Sequence, residues 1–130
     1  MRILIVDNDE STAITLKALI LSREQIDIDT AYGGQEGLDK MMMNPPYDAV
    51  LLDIMMPQVS GMDVCKTMVK NEKLRNIPVL LMSSALPIAP EDFHQSLEKS
   101  SELYVIKGVL EKPFVLDDLL AKIHAVARKA

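Results

Sequence analysis

Along the 130-residue chain, apolar and polar positions follow a repeating order: a short apolar run, a polar break, then a stripe at helical spacing. The first run, Ile3-Leu4-Ile5-Val6, is rich in β-branched residues and stops abruptly at acids, as a strand covered on both faces does. From Ser11 to about Arg23 the period changes. Ile14, Ala18 and Leu21 fall at i, i+4, i+7, with Ala13, Leu16 and Ile20 beside them, which predicts a helix with a broad apolar face. Residues 28–32 read as a second, weaker strand, broken by Gly33-Gly34. A helix carrying Leu38, Met41 and Met42 on one face follows, and Asn44-Pro45-Pro46 ends it. Ala49-Val50-Leu51-Leu52 is a third buried strand, stopping at Asp53, and a loop with Pro57 and Gly61 leads to a helix from about Met62 to Asn71. Pro78 opens a fourth strand, Val79 to Met82, ending at Ser83-Ser84. Residues 90–100 carry a weak helical pattern, and Val109-Leu110-Glu111 is the fifth strand, closed by Lys112-Pro113. The last helix has the clearest stripe: Leu116, Leu119, Leu120, Ile123 and Ala127, with Asp117 and Asp118 in its first turn and Arg128 and Lys129 in its last, as the helix dipole prefers.

Five strands alternating with five helices through short loops imply right-handed crossovers and a parallel sheet. The predicted fold class is α/β: flavodoxin-like, doubly wound (βα)5, with a five-stranded parallel sheet and helices on both faces. The length suits one domain over residues 1–130, with no repeat, linker or output domain expected. At 48% hydrophobic and 25% charged residues the composition is that of an ordinary globular domain, which excludes disorder. A net charge of −5 argues against gripping phosphate backbones, so no direct nucleic-acid binding is expected. No apolar run approaches the roughly 20 residues of a membrane span, and since Met1-Arg2 runs straight into the first strand, no signal peptide is expected. The single cysteine, Cys65, excludes an internal disulfide, so the expected compartment is the cytoplasm.

Open α/β sheets bind ligands beyond the carboxyl ends of their strands, where the loops converge. Strand one delivers Asp7, Asn8, Asp9 and Glu10 there; strand three delivers Asp53, strand four Ser83 and Ser84, and strand five Lys112. Carboxylates crowded at one edge repel each other and invite a hard divalent cation with oxygen ligands, most simply Mg²⁺. The cation lets one carboxylate act as nucleophile toward a phosphoryl group, while a lysine and a hydroxyl bind phosphoryl oxygens. The expected product is an aspartyl phosphate.

The residues that carry this chemistry resemble a known family. I-L-I-V-D-N-D at 3–9, L-L-D-I-M-M-P-x-x-x-G at 51–61, P-V-L-L-M-S-S-A at 78–85 and L-E-K-P-F at 110–114 are similar to the receiver domains of two-component response regulators, the family of the bacterial chemotaxis regulator. The resemblance runs from about residue 2 to residue 128, and the motifs are specific as a set. It implies that Asp53 is the phosphoacceptor, that Asp7 is the first of an acidic pair near a Mg²⁺ or Mn²⁺ ion, and that Met55 lends the ion its backbone carbonyl. It implies that Lys112 pairs with the active site and that Ser83 is the switch hydroxyl. The implied phosphoryl donor is a histidine kinase or a histidine phosphotransfer domain. The implied output is a shift between two conformations of the surface formed by the fourth strand, fourth helix and fifth strand, read by a homodimer or a separate effector protein.

Three departures from the family pattern are visible. The second acidic position is Asn8, whose amide oxygen can coordinate but brings no charge, so weaker Mg²⁺ binding is expected. The expected switch aromatic aligns with Val109, and Tyr104, close by in sequence, has no warrant for that role. Ser83 to Lys112 spans 29 residues, several more than usual, the surplus lying near Leu86 to Pro90 or Ser100 to Lys107.

Structural readings compete with these assignments. Asp9 and Glu10 suit either a supporting place beside the metal or the start of the first helix. Ser84 reads as a small residue beside the site. Met41-Met42-Met43 and Met55-Met56 read as adaptable core filling, Cys65 as a small buried residue, and His94 and His124 as surface or satisfied positions. Two other functions remain open on the residues: a haloacid-dehalogenase-like phosphatase, because 7–9 reads Asp-Asn-Asp, and a receiver-like docking module independent of phosphorylation, because of Asn8 and Val109.

Overall fold

In the computed structural model, five strands form one parallel sheet: β1 (Arg2–Val6), β2 (Asp27–Ala31), β3 (Ala49–Asp53), β4 (Val79–Ser83) and β5 (Ile106–Glu111), in the order β2-β1-β3-β4-β5. The structure describes residues 1–43, 46–83, 104–111 and 115–127, with only the backbone of Ser83. Four helices lie among the described residues: α1 (Glu10–Leu21), α2 (Gly34–Met43), α3 (Gly61–Val69) and α4 (Leu116–Val126). The helix expected over 90–100, together with His94, lies outside them.

The apolar runs become strands because β1 and β3 occupy the middle of the sheet, where both faces are covered. Every residue of β3 is buried, and so are four of the five in β1. The alternation of side chains splits the core into two layers. Leu4, Val6, Val50, Leu52 and Leu81 face α2 and α3, meeting Leu38, Met41, Val64, Cys65 and Met68. Ile3, Ile5, Leu51, Leu80 and Met82 face α1 and α4, meeting Ala13, Leu16, Ile20, Leu119 and Ile123. The predicted doubly wound architecture is the one observed.

Several boundaries and faces differ from expectation. On α1 the buried stripe is Ala13, Leu16 and Ile20, while Ile14 and Leu21 are 50% and 44% exposed. The helix has apolar residues nearly all round, so periodicity alone cannot say which side meets the sheet. Met42 is likewise exposed, leaving Leu38 and Met41 as the buried face of α2. Strand β5 begins three residues earlier than Val109. Its pairing with β4 steps from Val79↔Ile106 to Leu80↔Gly108, so Lys107 is an extra residue in a bulge within the stretch where surplus length was expected. The helix α4 ends at Val126; Arg128 and Lys129, expected in its last turn, lie outside the described residues.

Candidate functional site

The sheet order reverses direction at β1 and β3, and at such a switch point the loops diverge to opposite faces and leave a crevice. The register pairs Val6 with Leu52, so the next residues, Asp7 and Asp53, stand side by side at the carboxyl ends of adjacent strands. Neighbouring strands run about 4.8 Å apart. Asp7 follows Ile3 and Ile5 in alternation, and Asp53 follows Ala49 and Leu51, which places both on the α1/α4 side of the sheet. Asp7 is 1% and Asp53 7% exposed, and among the described residues no other charged side chain is buried. Burying two neighbouring carboxylates is unfavourable unless positive charge and hydrogen bonds offset it. This is the arrangement of a site, not of a core.

Backbone donors hold each carboxylate in place. Asp7 Oδ1 accepts the Asp9 N–H at 2.9 Å, and Asp53 Oδ1 accepts the Met55 N–H at 3.1 Å. The Asp9 side chain turns away to cap α1, its Oδ1 accepting from Ser11 N–H at 3.0 Å and Thr12 N–H at 3.4 Å. Of the two readings of Asp9, helix start is therefore the one its side chain adopts, while its backbone supports Asp7. Asn8 is exposed and borders a cleft of about 180 Å³ between the β2–α2 turn and the β3–α3 loop, together with Tyr32, Gly33, Gln35 and Gln58.

The β3–α3 loop explains its motif physically. A Cβ on Gly61 would lie 2.5 Å from the Asp53 carbonyl oxygen and 2.8 Å from Ile54 Cα, so only glycine lets the start of α3 press against the strand end that carries Asp53. The Gly61 N–H also donates to the Ile54 carbonyl at 3.0 Å. Ser60 and Asp63 form a capping box that begins α3. Gln58 takes φ 67°, the one non-glycine residue at positive φ among those described. In the sequence Gly61 stands as a loop residue and as the last position of the 51–61 motif, with no local reason for glycine, and Gln58 stands out in no way. The close approach that demands glycine is a tertiary contact, and a glutamine carries no local signal for positive φ.

On the other flank, Met82 pairs with Asp53 and Ser83 with Glu111, so the ends of β4 and β5 reach the same edge. Lys112, next after Glu111, and Ser84 lie outside the described residues. The methionine expectation holds for Met41 and Met56, which are buried, and fails for Met42, Met43 and Met55, which are 43%, 81% and 62% exposed. Met55 follows the site on a loop whose next residue, Met56, turns inward instead. Cys65 is buried as expected, and burial pushes its thiol up to about 12. Val109 is buried among the core side chains under α2 and α3, while Tyr104 is exposed. His124 sits on the surface of α4, its Nε2 2.7 Å from Glu24 Oε1. No helix among the described residues is long and apolar enough to cross a membrane.

The donor set suits a hard cation. Asp7 and Asp53 supply buried carboxylate oxygens at adjacent positions, and the backbone of Met55 stands at the same edge. Among the described residues no group of three or more acidic, histidine or cysteine side chains is placed to hold a metal ion.

Comparison with known proteins gives one answer. The profile of the response regulator receiver domain matches residues 3–124. The response regulator ArlR of Staphylococcus aureus is 31% identical over 128 residues, covering 98% of this chain and 53% of that protein. The chain thus spans about half the length of the curated relatives it matches. Among solved structures, the receiver domain of Francisella response regulator 1452 has a TM-score of 0.79 at 26% identity, covering 96% of this chain and 94% of that one. The Thermotoga maritima response regulator TrrA, solved in complex with Mg(2+)-BeF, has a TM-score of 0.75 at 29% identity, covering 96% and 97%.

Proposed function

The chain belongs to the response regulator receiver domain family, whose members work as phosphorylation switches of two-component signalling, and from that premise we propose that Asp53 is the residue that accepts the phosphoryl group. The observation that carries this reading is the pair of buried carboxylates, Asp7 and Asp53, side by side at the reversal of the sheet. Family membership sets aside the haloacid-dehalogenase-like alternative.

A carboxylate oxygen of Asp53 attacks phosphorus, an O–P bond forms, and the bond from phosphorus to the donor breaks with its electron pair leaving on the donor. In a histidine kinase or histidine phosphotransfer domain that donor atom is an imidazole nitrogen. The Met55 N–H fixes the plane of the Asp53 carboxylate for the attack. Asp7, Asp53, the Asn8 amide and the Met55 carbonyl would hold a Mg²⁺ or Mn²⁺ ion, which would supply positive charge against the phosphoryl oxygens. Lys112 contributes a further positive charge, and the Ser83 hydroxyl donates to the phosphoryl group, biasing the end of β4 toward the active arrangement. The protein turns over no separate substrate; it assists its own phosphorylation and dephosphorylation. It works in the cytoplasm as a receiver whose output passes to a second copy or to an effector protein.

Labelling with acetyl phosphate in the presence of Mg²⁺ tests the proposal. Intact-mass measurement should show one phosphoryl group per chain, not formed when the metal is chelated before the donor is added and absent from Asp53→Asn. Label that persists in Asp53→Asn would overturn the assignment. A wild-type protein that stays unlabelled with and without metal would favour the phosphorylation-independent docking module.

A further inference from the structure

All nine methionines lie among the described residues, and burial sorts them. Met41, Met56, Met68 and Met82 are buried and Met62 is half-buried, while Met1, Met42, Met43 and Met55 are exposed. Three of the exposed four stand at the amino edge of the parallel sheet: Met1 precedes β1, and Met42 and Met43 end α2, which runs back from the carboxyl end of β2. Met55 alone stands at the carboxyl edge, two residues after Asp53. Its N–H donates to the Asp53 carboxylate at 3.1 Å, so its thioether lies within one side chain's reach of that group. The side chain is 62% exposed and lines an open depression of about 440 Å³ with Ile54, Met56, Pro57 and Ser60, room enough for a small peroxide to meet the sulfur. The one thiol, Cys65, is buried and does not compete for an oxidant. We propose that Met55 is an oxidation site through which hydroperoxides lower the rate at which this switch takes up a phosphoryl group. The inference rests on Asp53 being the acceptor.

The step is a two-electron oxygen transfer. The Met55 sulfur attacks one oxygen of the peroxide, an S–O bond forms and the O–O bond breaks with its electron pair leaving on the second oxygen. That oxygen takes the proton from the transferred one. With hydrogen peroxide the products are water and the Met55 sulfoxide, the sulfur being oxidised and the peroxide reduced. An apolar thioether thereby becomes a strong dipole whose oxygen carries partial negative charge. About half a unit charge, about 6 Å from arriving phosphoryl oxygens in a dielectric near about 50, slows their approach by about two- to threefold. The Met55 N–H that orients Asp53 is unchanged by the reaction, so the effect falls on the rate and not on the fold. Sulfoxide reductases return the thioether, which makes the modification reversible.

Dilute hydrogen peroxide followed by peptide mapping should find Met55 and Met43 oxidised ahead of the buried Met41, Met56, Met68 and Met82. Protein oxidised to that extent should keep its thermal melt and take label from acetyl phosphate about two- to threefold more slowly. The two methionine sulfoxide reductases, one for each sulfoxide epimer, should restore the rate. Two variants assign the loss to one sulfur. Met55→Leu should hold its own labelling rate through peroxide treatment, while Met43→Leu should slow as the wild type does. Equal rates in oxidised and untreated wild-type protein would overturn the inference. So would a loss that persists in Met55→Leu, or a map in which Met55 oxidises no faster than the buried methionines. If untreated protein takes no label at all, the assignment of Asp53 fails and the regulatory reading falls with it, while the map still decides whether Met55 is the oxidation site.

Discussion

Replacing Gly61 by alanine sets two effects of opposite sign against each other. Alanine is the better helix former, by up to about 1 kcal/mol in a helix interior and by less at the first helical position, where Gly61 stands. Against that, the new Cβ would sit 2.5 Å from the Asp53 carbonyl oxygen, 2.8 Å from Ile54 Cα and 3.2 Å from the Asp53 carbonyl carbon. All three are backbone atoms of a strand end or the residue after it, so no flexible side chain can yield. Overpacking of this kind costs about 1–3 kcal/mol, and a clash with backbone belongs in the upper half of that range. The net expectation is a loss of about 2 kcal/mol. For 130 residues, an unfolding entropy near 2.1 cal/mol/K per residue converts this to a fall in Tm of about 7 °C. The displaced groups belong to Asp53 and its neighbour, so phosphorylation by acetyl phosphate should slow as well. Thermal melts followed by circular dichroism, run beside Gly33→Ala, provide the check. Nothing lies within 4 Å of a Cβ built on Gly33, and its φ is not positive, so that variant should hold its Tm or raise it. If Gly61→Ala melts no lower than wild type, the close approach is not what requires glycine there.

Further expectations follow from particular side chains. Gln58→Gly should stabilise the protein by about 0.5–1 kcal/mol in urea denaturation, because relief of the positive φ outweighs the added chain entropy of glycine; a loss of stability would contradict this. Asp9→Ala should cost about 1 kcal/mol through the lost cap of α1, and a capping serine should restore most of it. Cys65 has its thiol raised by burial from 9.0 to about 12, so the folded state holds that proton more tightly than the unfolded one. Its contribution to stability is therefore complete below pH 9.0 and is lost as pH climbs toward 12; Cys65→Ala should flatten that alkaline decline, and the wild-type thiol should react with disulfide reagents only on unfolding. An alkaline decline equally steep in Cys65→Ala would assign it to other groups.

Much of the site is legible in the sequence because its signals are local. An apolar run that stops at an acid announces both a strand and the edge where its last side chain emerges, and Asp7 and Asp53 do emerge there. The proline and glycine of the β3–α3 loop marked a turn, and acids in the first turn of α4 marked its start. Asp9 stayed ambiguous because the same carboxylate suits a helix cap and a metal's surroundings; the hydrogen bonds to Ser11 and Thr12 separate the two.

By itself, then, the sequence determined that the described strands and helices alternate and that Asp7 and Asp53 follow the ends of two apolar strands, because backbone preference and side-chain period act over a few residues. Only the tertiary structure decided which side of α1 meets the sheet, why Met41 and Met56 are buried but Met43 and Met55 are not, and why Gly61 has no room for a methyl group. It alone set the register that pairs Val6 with Leu52 and so brings two carboxylates, 46 residues apart in the chain, to one point. Those are relations between elements distant in sequence, and burial and contact come into existence only when the elements pack.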